Sequence, residues 1–183
     1  GDVIRFGLYG VKNVGDAAVE HIVAERERGG AYQDLFDFCR RVDSAVVNKR
    51  ALEHLVKAGA FDALGERATL LANLESAMKW GAAQRESQAA GQMALFGAEE
   101  LKPPALEAGA KLNDLDRLRF EKEALGLYIS AHPMRSYPGL AEAASCPVDA
   151  IEAWLHEQRA AGAEGGRVKA VLSGILQNVA KRP

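Results

Sequence analysis

The chain has 183 residues, 48% of them hydrophobic and 26% charged, with a formal net charge of −2. This length supports one or two small globular domains. The charge excludes a global basic field, so any nucleic-acid contact must draw on locally gathered Lys and Arg. Aromatics are only 7% while Ala and Leu abound, which predicts helices, and no apolar run approaches the ~20 residues that cross a bilayer.

The start, GDVIRFGLYG, has neither a basic leader nor an apolar signal core. Both it and the end, LQNVAKRP, are abrupt, as in a stretch cut from a longer chain. Val3–Leu8 alternates in a short, strand-like way. Gly10 and Gly15 bracket a turn, after which Asp16 opens a helix whose apolar positions are Ala18, Val19, Ile22 and Val23 and which Gly29-Gly30 ends. Asp34 caps a short helix carrying Leu35, Phe36, Phe38 and Cys39. Asp43 or Ser44 precedes the next, with Val47, Ala51, Leu52, Leu55 and Val56 on one face. Gly59 breaks it.

Glu66 to about Gln88 reads as one long helix with Leu70, Leu71, Leu74, Ala77 and Met78 as its buried stripe. Residues 88–113 hold glycines, prolines and scattered charges without a period, the signature of a linker. Asp114–Ile129 returns to helix and is stopped at Ala131-His132-Pro133. A small helix is expected over Val148–Arg159, and Arg167–Val179 alternates like a strand. Cys39 and Cys146 form no CxxC pair and read as free thiols.

Two segments have the look of glycine hairpins. In Leu8–Val19 a helix, a tight turn and a second helix succeed one another. The first N–H groups of the second helix would point outward at the positive end of its dipole, where a DNA phosphate accepts hydrogen bonds. Lys12, Asn13, Val14 and Gly15 form that turn, with Asn13 where a glycine is usual; Asn tolerates left-handed geometry better than most residues. A second candidate is Leu55–Phe61, with Lys57, Ala58 and Gly59 at its corner. Lys49 and Arg50 lie near enough to add charge. Such contacts read phosphates and not bases. The competing reading is a pair of ordinary αα-corners.

Within the linker, Gln92-Met93-Ala94-Leu95-Phe96 sets two large apolar residues in a stretch unable to bury them. Either Leu95 and Phe96 fill a partner's pocket, with Gln92 bonding at its rim, or they tuck into this chain's own core. His21, His54, His132 and His156 are scattered and form no zinc spacing; His132 reads as a structural hydrogen-bonder before Pro133. Asp114, Asp116, Glu121 and Glu123 spread around a helix beside Arg117, Arg119 and Lys122, which reads as a solvated face and not a metal site.

The blocks IRFGLYGVKNVG, DLFDFCRRVD, VNKRALEHLVKAGAFDALG, GQMALFG and EKEALGLYISAHP resemble in order the bacterial DNA polymerase III alpha subunits, the C-family replicases. The resemblance implies a mainly α fold. Residues 1–90 would be a tandem helix-hairpin-helix domain on duplex DNA. Residues 91–113 would be a flexible linker whose peptide 92–96, through Gln92, Met93, Leu95 and Phe96, enters the β sliding clamp. Residues 114–162 would pack on the first domain, and 167–183 would begin an OB-fold. It also implies a non-catalytic stretch with no cofactor of its own. The polymerase's Mg²⁺-holding carboxylates would lie upstream in a palm domain. Other replicase subunits would be met through the longer chain, in the cytoplasm at the nucleoid and away from membranes. Two rival readings remain: a repair nuclease or glycosylase with Lys57 or Asp62 as catalytic residue, and a purely structural helical connector.

Overall fold

The computed structural model describes residues 6–89, 102–137, 139–161 and 168–174. It divides into two compact units, Gly1–Ile129 and Ser130–Pro183. Among the described residues of the first unit a 3-10 turn at Leu8–Gly10 precedes five helices: α1 Asp16–Gly29, α2 Leu35–Arg41, α3 Lys49–Lys57, α4 Arg67–Ala89 and α5 Asp114–Leu125. The mainly α expectation holds. The long helix α4 is the spine, with α2 and α3 packed along it and α5 packed on α3. Leu70, Leu74 and Ala77 of α4 meet Leu35, Phe36 and Phe38 of α2 and Leu52, Leu55 and Val56 of α3 in one buried cluster. Losing one such leucine side chain costs about 2–5 kcal/mol.

Capping explains where the helices start. Asp34 accepts from the Asp37 N–H at 2.7 Å, as expected. For α3 the cap is neither Asp43 nor Ser44: residues 44–47 form a turn held by the Asp43 carboxylate and carbonyl, and Asn48 accepts from the Ala51 N–H at 3.0 Å. Asn113 and Asp116 cap α5 reciprocally. That helix ends at Leu125 and not at Ile129, because Gly126 takes a left-handed conformation (φ 80°) and turns the chain four residues earlier. The strand-like start is also different. Residues 1–5 lie outside the described residues, and Leu8–Gly10 is a 3-10 turn.

Two close contacts lock the spine. A Cβ on Gly81 would collide with the Cys39 carbonyl, so glycine lets α4 and the end of α2 approach backbone to backbone. The Arg85 guanidinium donates to the carbonyls of Cys39, Arg40 and Val42, the last at 3.0 Å, satisfying carbonyls at the negative end of α2.

The second half of the expected linker is docked. Asn73 of α4 grips the Glu107 backbone from both sides, donating to its carbonyl at 2.7 Å and accepting from its N–H at 2.9 Å. The Gly109 N–H donates to the Thr69 hydroxyl at 3.3 Å. The peptide expected to meet a clamp, Gln92, Met93, Leu95 and Phe96, lies outside the described residues.

The second unit contains a 3-10 turn at Pro133–Ser136, α6 Leu140–Ala143, a 3-10 turn at Val148–Ala150 and α7 Ile151–Ala160. His132 accepts from the Met134 N–H at 3.3 Å, the structural role expected of it. Residues 168–174, part of the expected strand, are in no strand. There the Ser145 N–H donates to the Val171 carbonyl and the Val171 N–H to the Ser145 hydroxyl, each at 2.9 Å; one such pairing makes no ladder. The rest of 167–183 lies outside the described residues. The division at Ile129 falls within the segment 114–162, beside Ala131-His132-Pro133, where helix cannot continue.

Candidate nucleic-acid interface

The first hairpin turn is plugged into the core by Val11 and Val14, 5% and 8% exposed. Lys12, Asn13 and Gly15 between and after them face solvent. The alternation buried, exposed, exposed, buried, exposed is what a tight turn over an apolar floor produces. Val14 therefore anchors the turn by its side chain, and its N–H is spent on Val11 at 3.3 Å. The Lys12 N–H is spent too, on the Ala124 carbonyl of α5 at 2.8 Å.

The N–H groups of Asn13, Gly15, Asp16 and Ala17 enter no hydrogen bond among the described residues. Gly15 is the N-cap of α1 and carries no side chain to cap with, so the first turn of α1 leaves its N–H groups unsatisfied and pointing out of the helix end. The N-terminus of α3 differs in this respect, since Asn48 fills the equivalent place.

The second hairpin candidate is built otherwise. Ala58 donates to His54 at 2.8 Å, Gly59 to Val56 at 3.0 Å and Ala60 to Leu55 at 3.0 Å, a Schellman ending with Gly59 left-handed at φ 87°. The amides at this corner are therefore used within the chain. Phe61 is buried, and the next helix begins only at Arg67. Arg67 closes the loop: it grips Asp62 with two nitrogens at 2.7 Å each, reaches the Lys57 carbonyl at 3.1 Å and approaches Glu121 at 3.7 Å. The Asp62 carboxylate beside it raises the already high Arg67 pKa.

The basic side chains divide the same way. Lys57 is paired to Glu123 at 2.7 Å and Lys49 to Glu75 at 3.1 Å. Hydrogen bonds from Lys79 and Lys49 bring the Glu75 carboxyl down to about 2. Lys12 and Arg50 are exposed and enter no ion pair among the described residues. They share one open groove with Asn13, Lys49, Glu53, His54 and Glu123. Arg50 is the least conspicuous of these cations in the sequence. The signal for it was its place on the exposed face of α3, one position before the buried Ala51.

The acidic helix α5 is not wholly a solvated face. Glu121 is 2% exposed and accepts from the Ile129 N–H at 2.8 Å while facing Arg67. Asp116, Glu123 and the neighbouring Arg119 behave as expected of surface pairs. Among the described residues no group of three His, Cys, Asp or Glu side chains converges as a metal site, and no helix is long and apolar enough to cross a membrane. The residues that a nuclease reading would need, Lys57 and Asp62, are both held in ion pairs.

Residues 1–70 match the helix-hairpin-helix motif model. Over its whole length the chain is 48% identical to the DNA polymerase III subunit alpha of Thermus aquaticus and, over 188 aligned positions, 47% identical to that of Deinococcus radiodurans. Over 73% of its length it is 39% identical to the subunit of Borreliella burgdorferi. The chain spans 14%, 14% and 12% of the length of these relatives. The resemblance noted in the motif blocks extends through the C-terminal third as well, and the chain belongs to the DNA polymerase III alpha subunit family, matching one segment of its members.

Proposed function

We propose that this chain is a DNA-gripping, non-catalytic segment of a replicative polymerase, holding duplex DNA by its phosphates. The observation that carries this reading is the uncapped start of α1, with the N–H groups of Asn13, Gly15, Asp16 and Ala17 unspent on an exposed turn inside the matched helix-hairpin-helix motif. A phosphate oxygen accepts from such amides and is favoured by the helix dipole. Lys12 flanks the amides, and Arg50 supplies the cation across the groove. Lys49 lines the same groove but stays paired to Glu75 and neutralises no further phosphate. Lys57 holds Glu123 of the groove wall, and the amides of Ala58 and Gly59 are engaged within the chain, so this corner offers no phosphate contact of its own. The Asp16 carboxylate sits at the same helix end and opposes the phosphate. It keeps the grip weak.

Weak grip suits a tethered enzyme. Gln92, Met93, Leu95 and Phe96 form the peptide that docks on the β sliding clamp, with Leu95 and Phe96 as apolar anchors. Attachment to a ring around DNA raises the effective concentration of the hairpin to the order of millimolar. Polymerisation itself, with its Mg²⁺, belongs to other parts of the longer protein, as does contact with further replicase subunits. Residues 167–183 lead into an OB-fold there. The protein works in the cytoplasm at the nucleoid.

Fluorescence anisotropy with a 20-base-pair duplex tests the grip. Affinity falls with salt at a slope of about −2, from two phosphates neutralised at about −0.9 each, and Lys12→Ala or Arg50→Ala lowers the slope by about one. A flat titration at low salt refutes it and leaves the structural connector. Calorimetry with purified clamp tests the tether: replacing Leu95 and Phe96 with Ala abolishes binding, and unchanged affinity refutes that part.

A further inference from the structure

We propose that His54 is a positioning residue for the phosphate-facing turn, acting by holding Asn13 in a left-handed backbone conformation; this rests on the duplex-binding reading above. Asn13 has φ 63°, the one positive value at a non-glycine among the described residues. L-residues resist this region because Cβ crowds the following carbonyl, and Asn visits it when its short side chain finds a hydrogen bond. Here the bond is to a residue 41 positions away: Asn13 Nδ2 lies 2.9 Å from His54 Nε2.

The direction of that bond is fixed by the other ring nitrogen. His54 Nδ1 lies 2.8 Å from the Arg50 carbonyl. A carbonyl only accepts, so Nδ1 carries the hydrogen, and Nε2 of the neutral ring presents its lone pair. An amide nitrogen can only donate, and Asn13 Nδ2 does so. The ring is 7% exposed and sits on α3 next to the fully buried Leu55 and Val56, so helix geometry and packing set its place. Asn13 inherits that place. On its other side the turn is tied to α5 by the Lys12 N–H on Ala124. Held from both sides, the amides of Asn13, Gly15, Asp16 and Ala17 are aimed before any phosphate arrives. Without the His54 lone pair, Asn13 relaxes toward negative φ and the four amides lose their common direction.

A glycine at position 13 adopts the left-handed region without help. The lock is therefore needed only while an asparagine stands there, and this separates positioning from packing. The test uses the full 183-residue chain as wild type, H54L, N13G and the N13G/H54L double variant, with duplex affinity read by anisotropy at low salt. H54L, which fills the space but offers no acceptor, is expected to weaken binding about fivefold, the worth of one buried hydrogen bond. In the N13G background the same substitution costs less than about 1.5-fold. H54Q, whose side-chain oxygen can accept from Asn13, recovers most of the affinity. Equal losses in both backgrounds overturn the proposal, because His54 would then be acting through something other than Asn13. If the wild type binds no duplex, the grip reading fails on its own, and thermal melting of the same four proteins judges the lock: N13G suppressing the melting-temperature loss of H54L supports it, and additive losses overturn it.

Discussion

Replacing Glu121 separates the structural charges of this domain from its surface charges. The carboxylate is 2% exposed; one oxygen accepts from the Ile129 N–H at 2.8 Å, and the other stands 3.7 Å from Arg67 Nη1. Breaking a buried ion pair by deleting one partner costs about 3–5 kcal/mol when the survivor is stranded. Arg67 is not stranded, because Asp62 holds it with two bonds and the Lys57 carbonyl with a third. The loss for Glu121→Ala is therefore dominated by the charge-assisted bond to Ile129, worth about 1.5–3 kcal/mol, plus a small cavity. We expect a total of about 3 kcal/mol. Glu121→Gln keeps an oxygen for the Ile129 N–H and the volume, and gives up the charge facing Arg67 at the longer distance, for about 1 kcal/mol. Urea denaturation followed by circular dichroism reads both as midpoint shifts at constant slope. Amide exchange at Ile129 should quicken in the Ala variant and stay slow in the Gln variant. If Gln proves as damaging as Ala, the Arg67 ion pair is the dominant contribution and the reasoning from geometry is refuted.

Gly81→Ala is expected to cost about 3 kcal/mol, because its Cβ meets the Cys39 carbonyl and both lie on packed helices; a variant melting with the wild type would refute the close approach. Burial alone pushes the Asp37 carboxyl up, but hydrogen bonds from Arg40, the Gln33 N–H and Arg41 outweigh it and hold the group below its ordinary 3.8. A depressed folded value means the stabilisation is present above pH 4 and lost as pH falls through the folded value. The stability difference between wild type and Asp37→Asn should thus be largest at pH 6 and narrow as falling pH protonates the folded carboxyl. A gap that does not change with pH would show that Asp37 acts by packing. Burial pushes the Cys39 thiol up to about 12, only partly opposed by Arg85. Thiol reagents at pH 8 should label Cys39 only at the rate of unfolding, and prompt labelling of the native protein would contradict its burial.

Much of the helical core was legible because its periodicity is strong. Leu70, Leu74 and Ala77, or Ala51, Leu52, Leu55 and Val56, fall on one face at helical spacing, and that face is buried. Helix ends were less legible. Asp43, Ser44 and Asn48 are all capable caps, and only the turn at 44–47 decides for Asn48. Gly126 was passed over in favour of the later proline, though a glycine after Leu125 is the commoner stop. The site was half legible. The glycine-bracketed turn is local, so the sequence displays it. What distinguishes the two corners is not local: Gly59 closes a Schellman ending through carbonyls behind it, and Lys57 meets Glu123 from 66 residues away. No periodicity reports such a pairing, and the same holds for the docking of Glu107 on Asn73 and for the burial of Glu121.

The pairing of Lys49 and Lys57 changes what kind of grip this surface can offer. Four cations around two corners would have made a charge-driven interface, tight at low salt and lost steeply as salt rises, since each neutralised phosphate adds about −0.9 to the slope. With two of the four facing Glu75 and Glu123 and Asp16 at the helix end, the remaining attraction is shared between Lys12, Arg50 and the oriented amides. Amides bind a phosphate by geometry, so their contribution depends on the turn being rigid and depends little on ionic strength. That places the demand on the anchors beneath: Val11 and Val14 in the core, Lys12 on Ala124, Asn13 on His54. A surface of this kind holds a duplex usefully only when something else keeps the two together, which is the office proposed for the peptide at Gln92–Phe96.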